Sequence, residues 1–123
     1  FKSVNDTYSH LAGDAVLKNF AALLKKCVRP SDCVARYGGE EFAIILSKAD
    51  ETRACRVAER VRLAVESSEF KVPNHVLKIT VSIGISTYEP GEKAKTILER
   101  ADKAMYVAKN NGRNQYRVYS AER

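Results

Sequence analysis

Arg36-Tyr37-Gly38-Gly39-Glu40-Glu41-Phe42-Ala43-Ile44-Ile45-Leu46 is the stretch that decides the fold of this chain. Before it stands a short apolar run, Cys33-Val34-Ala35, and its own tail from Ala43 to Leu46 is apolar at every position. Two strand-like runs joined by a glycine pair predict a hairpin over residues 32–46, because glycine reaches the positive φ values that tight hairpin turns require. Two acidic residues open the second strand. Successive side chains of a strand point to opposite faces, so only one of Glu40 and Glu41 faces a given ligand. Glycines without Cβ let a phosphate chain approach the backbone, and a carboxylate beside them can hold the magnesium that phosphates carry. Taken alone, the run also describes a solvated hairpin tip, so the weight falls on its surroundings.

Upstream, Gly13-Asp14 offers a helix start, and Val16, Leu17, Phe20, Ala21, Leu24 and Val28 then fall on one helical face until Pro30. Downstream, a second helix is predicted over residues 50–67, with Ala54, Val57, Ala58, Val61, Ala64 and Val65 inward. Residues 77–86 alternate as a strand, with Ile79, Val81, Ile83 and Ile85 on one face, and Glu89-Pro90-Gly91 makes a turn. A third helix spans residues 94–111 with Ile97, Leu98, Ala101, Met105 and Ala108 inward. Asn111-Gly112 stops it, and residues 115–119 form a last short strand. Helices and strands alternate while hairpins interrupt them, which predicts an α/β (α+β) fold with a mixed, partly antiparallel central sheet flanked by helices.

The 123 residues make one domain, with 45% hydrophobic and 29% charged residues as in an ordinary globular protein. No apolar run approaches the ~20 residues of a membrane span, and no signal-peptide pattern opens the chain. Cys27, Cys33 and Cys55 form no CxxC and sit in apolar stretches, so buried free thiols in a reducing cytoplasm are expected. The formal charge of +6 points to an anionic partner. It is spread through the helices without a polybasic tract, which favours nucleotides over a nucleic-acid polymer.

Six strings in order carry a resemblance: Phe1-Lys2-Ser3-Val4-Asn5-Asp6, His10-Leu11-Ala12-Gly13-Asp14, the hairpin, Ala58-Glu59-Arg60-Val61-Arg62, Thr80-Val81-Ser82-Ile83-Gly84, and residues 101–114. Along nearly its whole length the chain resembles the GGDEF family, bacterial diguanylate cyclases that condense two GTP into cyclic di-GMP. Glutamate is an accepted variant at the third hairpin position. The resemblance implies a fold related to nucleotide-cyclase and polymerase palm domains, in a cytoplasmic bacterial signalling protein.

It also assigns roles. Glu40 is the metal-binding hairpin carboxylate, for Mg²⁺ or Mn²⁺, with Glu41 beside it as a second catalytic candidate. Gly38 and Gly39 let the backbone meet the phosphates, and Lys2, Lys109 and Arg113 neutralise the triphosphate. On local residues alone, Lys109 and Arg113 equally suit the negative end of a helix. Asn5 and Asp14 read guanine, since a carboxylate accepts both N–H donors of its Watson–Crick edge; without the family, Asp14 reads as a helix N-cap. Arg29-Pro30-Ser31-Asp32 matches the family's RxxD product-inhibition site, which Arg60 and Arg56, one helical turn apart, would complete. A surface ion pair is the plain alternative there.

The family places a strand, and an aspartate that shares the metal, ahead of Phe1. The chain over residues 1–123 is therefore expected to be an N-terminally truncated piece of a longer protein, lacking the family's first strand and inactive as it stands. The resemblance further implies a homodimer in which each protomer presents one GTP to the other, and an upstream sensory or receiver domain. An inactive module that binds GTP or cyclic di-GMP as a receptor is the alternative to the enzyme.

Overall fold

The computed structural model describes residues 10–38, 41–72 and 75–120. These form helix α1 (His10–Cys27), the hairpin β1 (Cys33–Gly38) and β2 (Glu41–Ile45), and helix α2 (Glu51–Ser67). The short strands β3 (Phe70–Val72) and β4 (His75–Leu77) follow, then β5 (Ser82–Ile85), helix α3 (Ala94–Asn110) and β6 (Gln115–Val118). The mixed character expected of the sheet is present. Strands β1–β2 and β3–β4 pair antiparallel and β5–β6 pair parallel, as three two-stranded ladders among the described residues. The chain divides into two units: the described residues through Ser47 with Ser67–Ile79, and Lys48–Glu66 with the described residues from Thr80 onward.

In the first unit, α1 buries Val16, Leu17, Phe20, Leu24 and Cys27, the face its 3.6-residue period predicts. Phe20 is central. Its ring lies 5.2 Å from that of Phe42 on β2 and 6.5 Å from that of Phe70 on β3, both tilted, so one side chain binds both hairpins to the helix. Phe70 pairs across its ladder with Leu77, and both are buried. The β3–β4 hairpin replaces the start of the single strand expected over 77–86. After α1 the chain reverses at Arg29-Pro30-Ser31-Asp32, where the Asp32 amide donates to the Arg29 carbonyl at 2.9 Å and proline holds the second turn position.

In the second unit, α2 starts on Asp50, whose carboxylate accepts from the Arg53 amide at 2.8 Å as an N-cap. It buries Val57, Ala58, Val61 and Val65. The strand β5 lies so close to α3 that a Cβ on Gly84 would stand 1.9 Å from the Ala101 carbonyl oxygen and 2.4 Å from the Met105 nitrogen. Past this contact, Ser86 Oγ donates to the Ile97 carbonyl at 2.7 Å. Arg100 binds Glu92 at 2.5 Å, donates to the Thr87 carbonyl at 3.1 Å and stacks 5.9 Å from the Tyr119 ring. Its hydrogen bond holds the Glu92 carboxyl below the ordinary carboxylate value. None of the three cysteines forms a disulfide. Only Cys27 is buried, however, because Cys33 falls on an exposed position of β1 and Cys55 is half-buried.

Gly84→Ala is expected to destabilise the protein by about 3 kcal/mol or more, at or beyond the upper end of overpacking costs, because the obstacles are backbone atoms that no rotamer change can move. Urea denaturation of the two proteins measures it.

Candidate functional site

The β1–β2 register decides what the hairpin presents. Val34 pairs with Ile44 and Arg36 with Phe42, so these four side chains share one face of the ladder. Since Phe42 meets Phe20, that face is the one turned to α1. A bulge then sets in, and Gly38 pairs with Glu41, leaving Tyr37 as the additional, exposed residue. By strand alternation Glu41 stands on the face opposite Phe42. It is half-buried at the head of β2. Among the described residues nothing but its chain neighbours lies within 4 Å of where a Cβ on Gly38 would be, which leaves its backbone open to approach from them. Gly39 and Glu40 lie outside the described residues, as do Lys2 and Asn5.

Between that face and α1 runs an open groove of about 360 Å³. Asp14, Leu17, Lys18, Ala21 and Lys25 line it from the helix, at intervals of three and four that keep them on one stripe, and Val34, Arg36 and Phe42 line it from the hairpin. Asp14 is not a helix N-cap. The helix already runs at His10, so Asp14 lies in its second turn with no capping role. Its carboxylate is exposed into a groove with an apolar floor and three cations, Lys18, Lys25 and Arg36. The sequence reading did not single out these cations. Lys18 and Lys25 were legible as residues four and eleven beyond Asp14. Arg36 became legible only through the register that sets it opposite Phe42.

At the turn after α1, Asp32 is half-buried and its carboxylate is committed to the backbone. One oxygen accepts from the Arg29 amide at 2.9 Å and the other from the Ser47 amide at 2.8 Å. The same side chain thus closes the turn and ties it to the end of the hairpin, while Arg29 is exposed. Arg56 and Arg60 are exposed on α2 of the second unit, one turn apart.

In the second unit Lys109 occupies the last turn of α3 and is half-buried. Arg113 follows Gly112 and is exposed. Gly112, Arg113 and Asn114 all have positive φ, at 108°, 62° and 48°, so the helix stop expected at Asn111-Gly112 extends two residues further. Asn114 accepts from Arg62 at 3.2 Å and donates to Glu66. Arg62 forks onto Glu59 at 2.7 and 2.9 Å, which lowers the Glu59 carboxyl below its ordinary value and raises Arg62.

Residues 1–115 match the family described as diguanylate cyclase, GGDEF domain. The chain is 48% identical over 116 residues to diguanylate cyclase A of Treponema denticola, covering 94% of this chain and 31% of that protein. It thus spans about a third of that relative's length. The crystal structure of the GGDEF domain of DgcB from Caulobacter crescentus, in complex with c-di-GMP, superposes with a TM-score of 0.87 at 37% identity over 95% of this chain and 70% of that one. The structure of the active GGEEF domain of a diguanylate cyclase from Vibrio cholerae gives 0.86 at 32% identity, over 97% of this chain and 76% of that one. Its hairpin motif carries the glutamate also found at position 40 here.

Asp32→Ala is expected to lower stability by ~1–3 kcal/mol, because two backbone amides lose their acceptor at once. Asp32→Asn, which keeps one carbonyl oxygen, retains part of this, and thermal melts of the three proteins rank them.

Proposed function

This chain belongs to the GGDEF domain family of diguanylate cyclases, and from that premise we propose that, within the full-length protein, it condenses two GTP molecules into cyclic di-GMP. In each half-reaction a ribose 3′-oxygen attacks the α-phosphorus of the other GTP. Its proton passes to solvent, the bond between the α-phosphorus and the bridging oxygen breaks, and pyrophosphate leaves. Two such steps close the ring and release two pyrophosphates.

The groove between α1 and the hairpin is the observation that carries this reading. A carboxylate at one position accepts the two N–H donors of a guanine edge, where adenine offers an acceptor instead. Leu17, Ala21, Val34 and Phe42 give a flat base an apolar floor, and Lys18, Lys25 and Arg36 supply charge for anionic oxygens. Asp14 is the base-reader, with Asn5 beside it in the family's pattern. Gly38 and Gly39 admit the phosphates, and Lys2, Lys109 and Arg113 neutralise the triphosphate. Glu40 is the metal-binding catalytic carboxylate of the hairpin, and Glu41, at the head of β2, is the second catalytic candidate. A hard carboxylate oxygen such as Glu40 supplies suits Mg²⁺ or Mn²⁺, which few protein ligands and the substrate's own phosphates would hold. Such an ion, when bound, would supply charge stabilisation at the phosphoryl oxygens and the leaving group.

Two GTP molecules must meet face to face, so the active form is a homodimer. The chain spans about a third of a curated relative, which fits control by a sensory or receiver domain elsewhere in a longer protein. Among the described residues no helix is long and apolar enough to cross a membrane. We place the domain in the bacterial cytoplasm, where GTP is found. Product binding at Arg29 and Asp32, completed by Arg56 and Arg60, is the proposed means of feedback.

In the full-length protein, Glu40→Ala is expected to lower turnover by on the order of 10²–10³-fold or more, with the fold intact. Asp14→Ser is expected to relax the preference for GTP over ATP. Pyrophosphate release from each nucleotide measures both, and near-normal rates with unchanged selectivity would refute the assignments. A wild-type protein that binds GTP without turnover is the receptor alternative.

For feedback, Arg29→Ala is expected to weaken cyclic di-GMP binding while the initial rate of synthesis survives. Calorimetry with cyclic di-GMP beside progress curves from GTP separates this from a surface ion pair. The latter leaves product affinity unchanged and costs at most ~1 kcal/mol of stability.

A further inference from the structure

Residues 112–114 hold three successive left-handed conformations, and two of them carry a Cβ. Such backbone is uncommon outside glycine and persists where the surroundings over-determine it. Here they do. The Arg113 amide donates to the Ala108 carbonyl at 3.0 Å. Gln115 Nε2 donates to the carbonyls of Asn111 at 2.8 Å and Arg113 at 3.0 Å, and its own oxygen accepts from Arg117 at 2.7 Å. The Asn114 amide is gripped on both atoms, by Glu66 and by Arg62, whose side chain is 17% exposed.

One group is left out of this web. The Arg113 guanidinium is exposed and makes no hydrogen bond or ion pair with any other described residue. Two carbonyls of the last helical turn are met without it. The Val107 carbonyl is met by the Asn111 side chain at 2.8 Å and its amide at 3.0 Å, and the Ala108 carbonyl by the amides of Asn111 and Arg113. A helix-end cation would serve those carbonyls. They are already served, and the backbone beneath a free cation is held rigid instead.

We propose that Asn114, gripped by Glu66 and Arg62, is a positioning residue that fixes the aim of the Arg113 guanidinium toward the anionic oxygens of a nucleoside triphosphate tail. The proposal rests on the reading of Arg113 as a triphosphate-binding cation. A locked backbone fixes the Cα–Cβ direction from which the guanidinium reaches, so only the side chain's own rotamers remain to be ordered on binding, and the benefit falls on the phosphates and not on the base.

Calorimetric binding of GTP and of GMP, each with Mg²⁺, to the full-length protein tests it. Arg113→Ala is expected to lower the preference for GTP over GMP about tenfold, as loss of one charge-assisted hydrogen bond does. Asn114→Asp sets a carboxylate against Glu66 while tolerating the left-handed backbone, and is expected to lower the same preference without changing GMP affinity. Adding Glu66→Gln to Asn114→Asp restores the donor–acceptor pair and the preference. Combining Asn114→Asp with Arg113→Ala adds no loss to that of Arg113→Ala. If Arg113→Ala lowers the preference and Asn114→Asp does not, positioning is refuted and the cation stands. If neither lowers it, the cation reading fails and takes the proposal with it. Equal weakening of GTP and GMP by Asn114→Asp, unrestored by Glu66→Gln, makes Asn114 a merely structural residue and overturns the proposal.

Discussion

The approach of β5 to α3 at Gly84 is the constraint from which the second unit takes its geometry. With a Cβ position 1.9 Å from a helix carbonyl, the strand and the helix are in backbone contact, which no side chain could mediate. The parallel ladder of β5 with β6 and the Ser86 bond to Ile97 then fix where the helix runs. Its far end therefore delivers Lys109 and the 112–114 turn to a set place within that unit. A helix held by interdigitating side chains would tolerate a repacked residue; one held by backbone contact does not.

Phe20 plays the corresponding part in the first unit by a different means. Aromatic contacts of 5.2 and 6.5 Å bring two hairpins onto one helix, and the position of Phe42 has a polar corollary. Once Phe42 faces α1, Arg36 must share its face and Glu41 must take the other. The groove and the acidic strand head are thus two sides of the same alternation. A one-residue slip would exchange them.

Much of this was legible in the sequence, and for identifiable reasons. The long helices announce themselves by apolar spacing, and the hairpin by glycines between apolar runs. Short strands carry too few residues for a period: β3 and β4 have three each, and the strand expected over 77–86 narrows to Ser82–Ile85. Asp14 locally resembles a cap because Gly13 before it looks like a helix start, whereas the helix runs through both. Lys18 shares its stripe, but only the facing hairpin makes that stripe a groove wall. Asn114 gave no signal, because its partners Arg62 and Glu66 lie about fifty residues earlier.

Asp32 carries a consequence for how the family's sequences record their history. Its carboxylate serves two backbone amides whether or not any product binds, so folding alone selects for aspartate there. Arg29 contributes to the same turn only its amide and carbonyl, which every residue but proline possesses. Of the two side chains, the aspartate's is held by architecture, and under the proposed feedback the arginine's alone would answer to regulation.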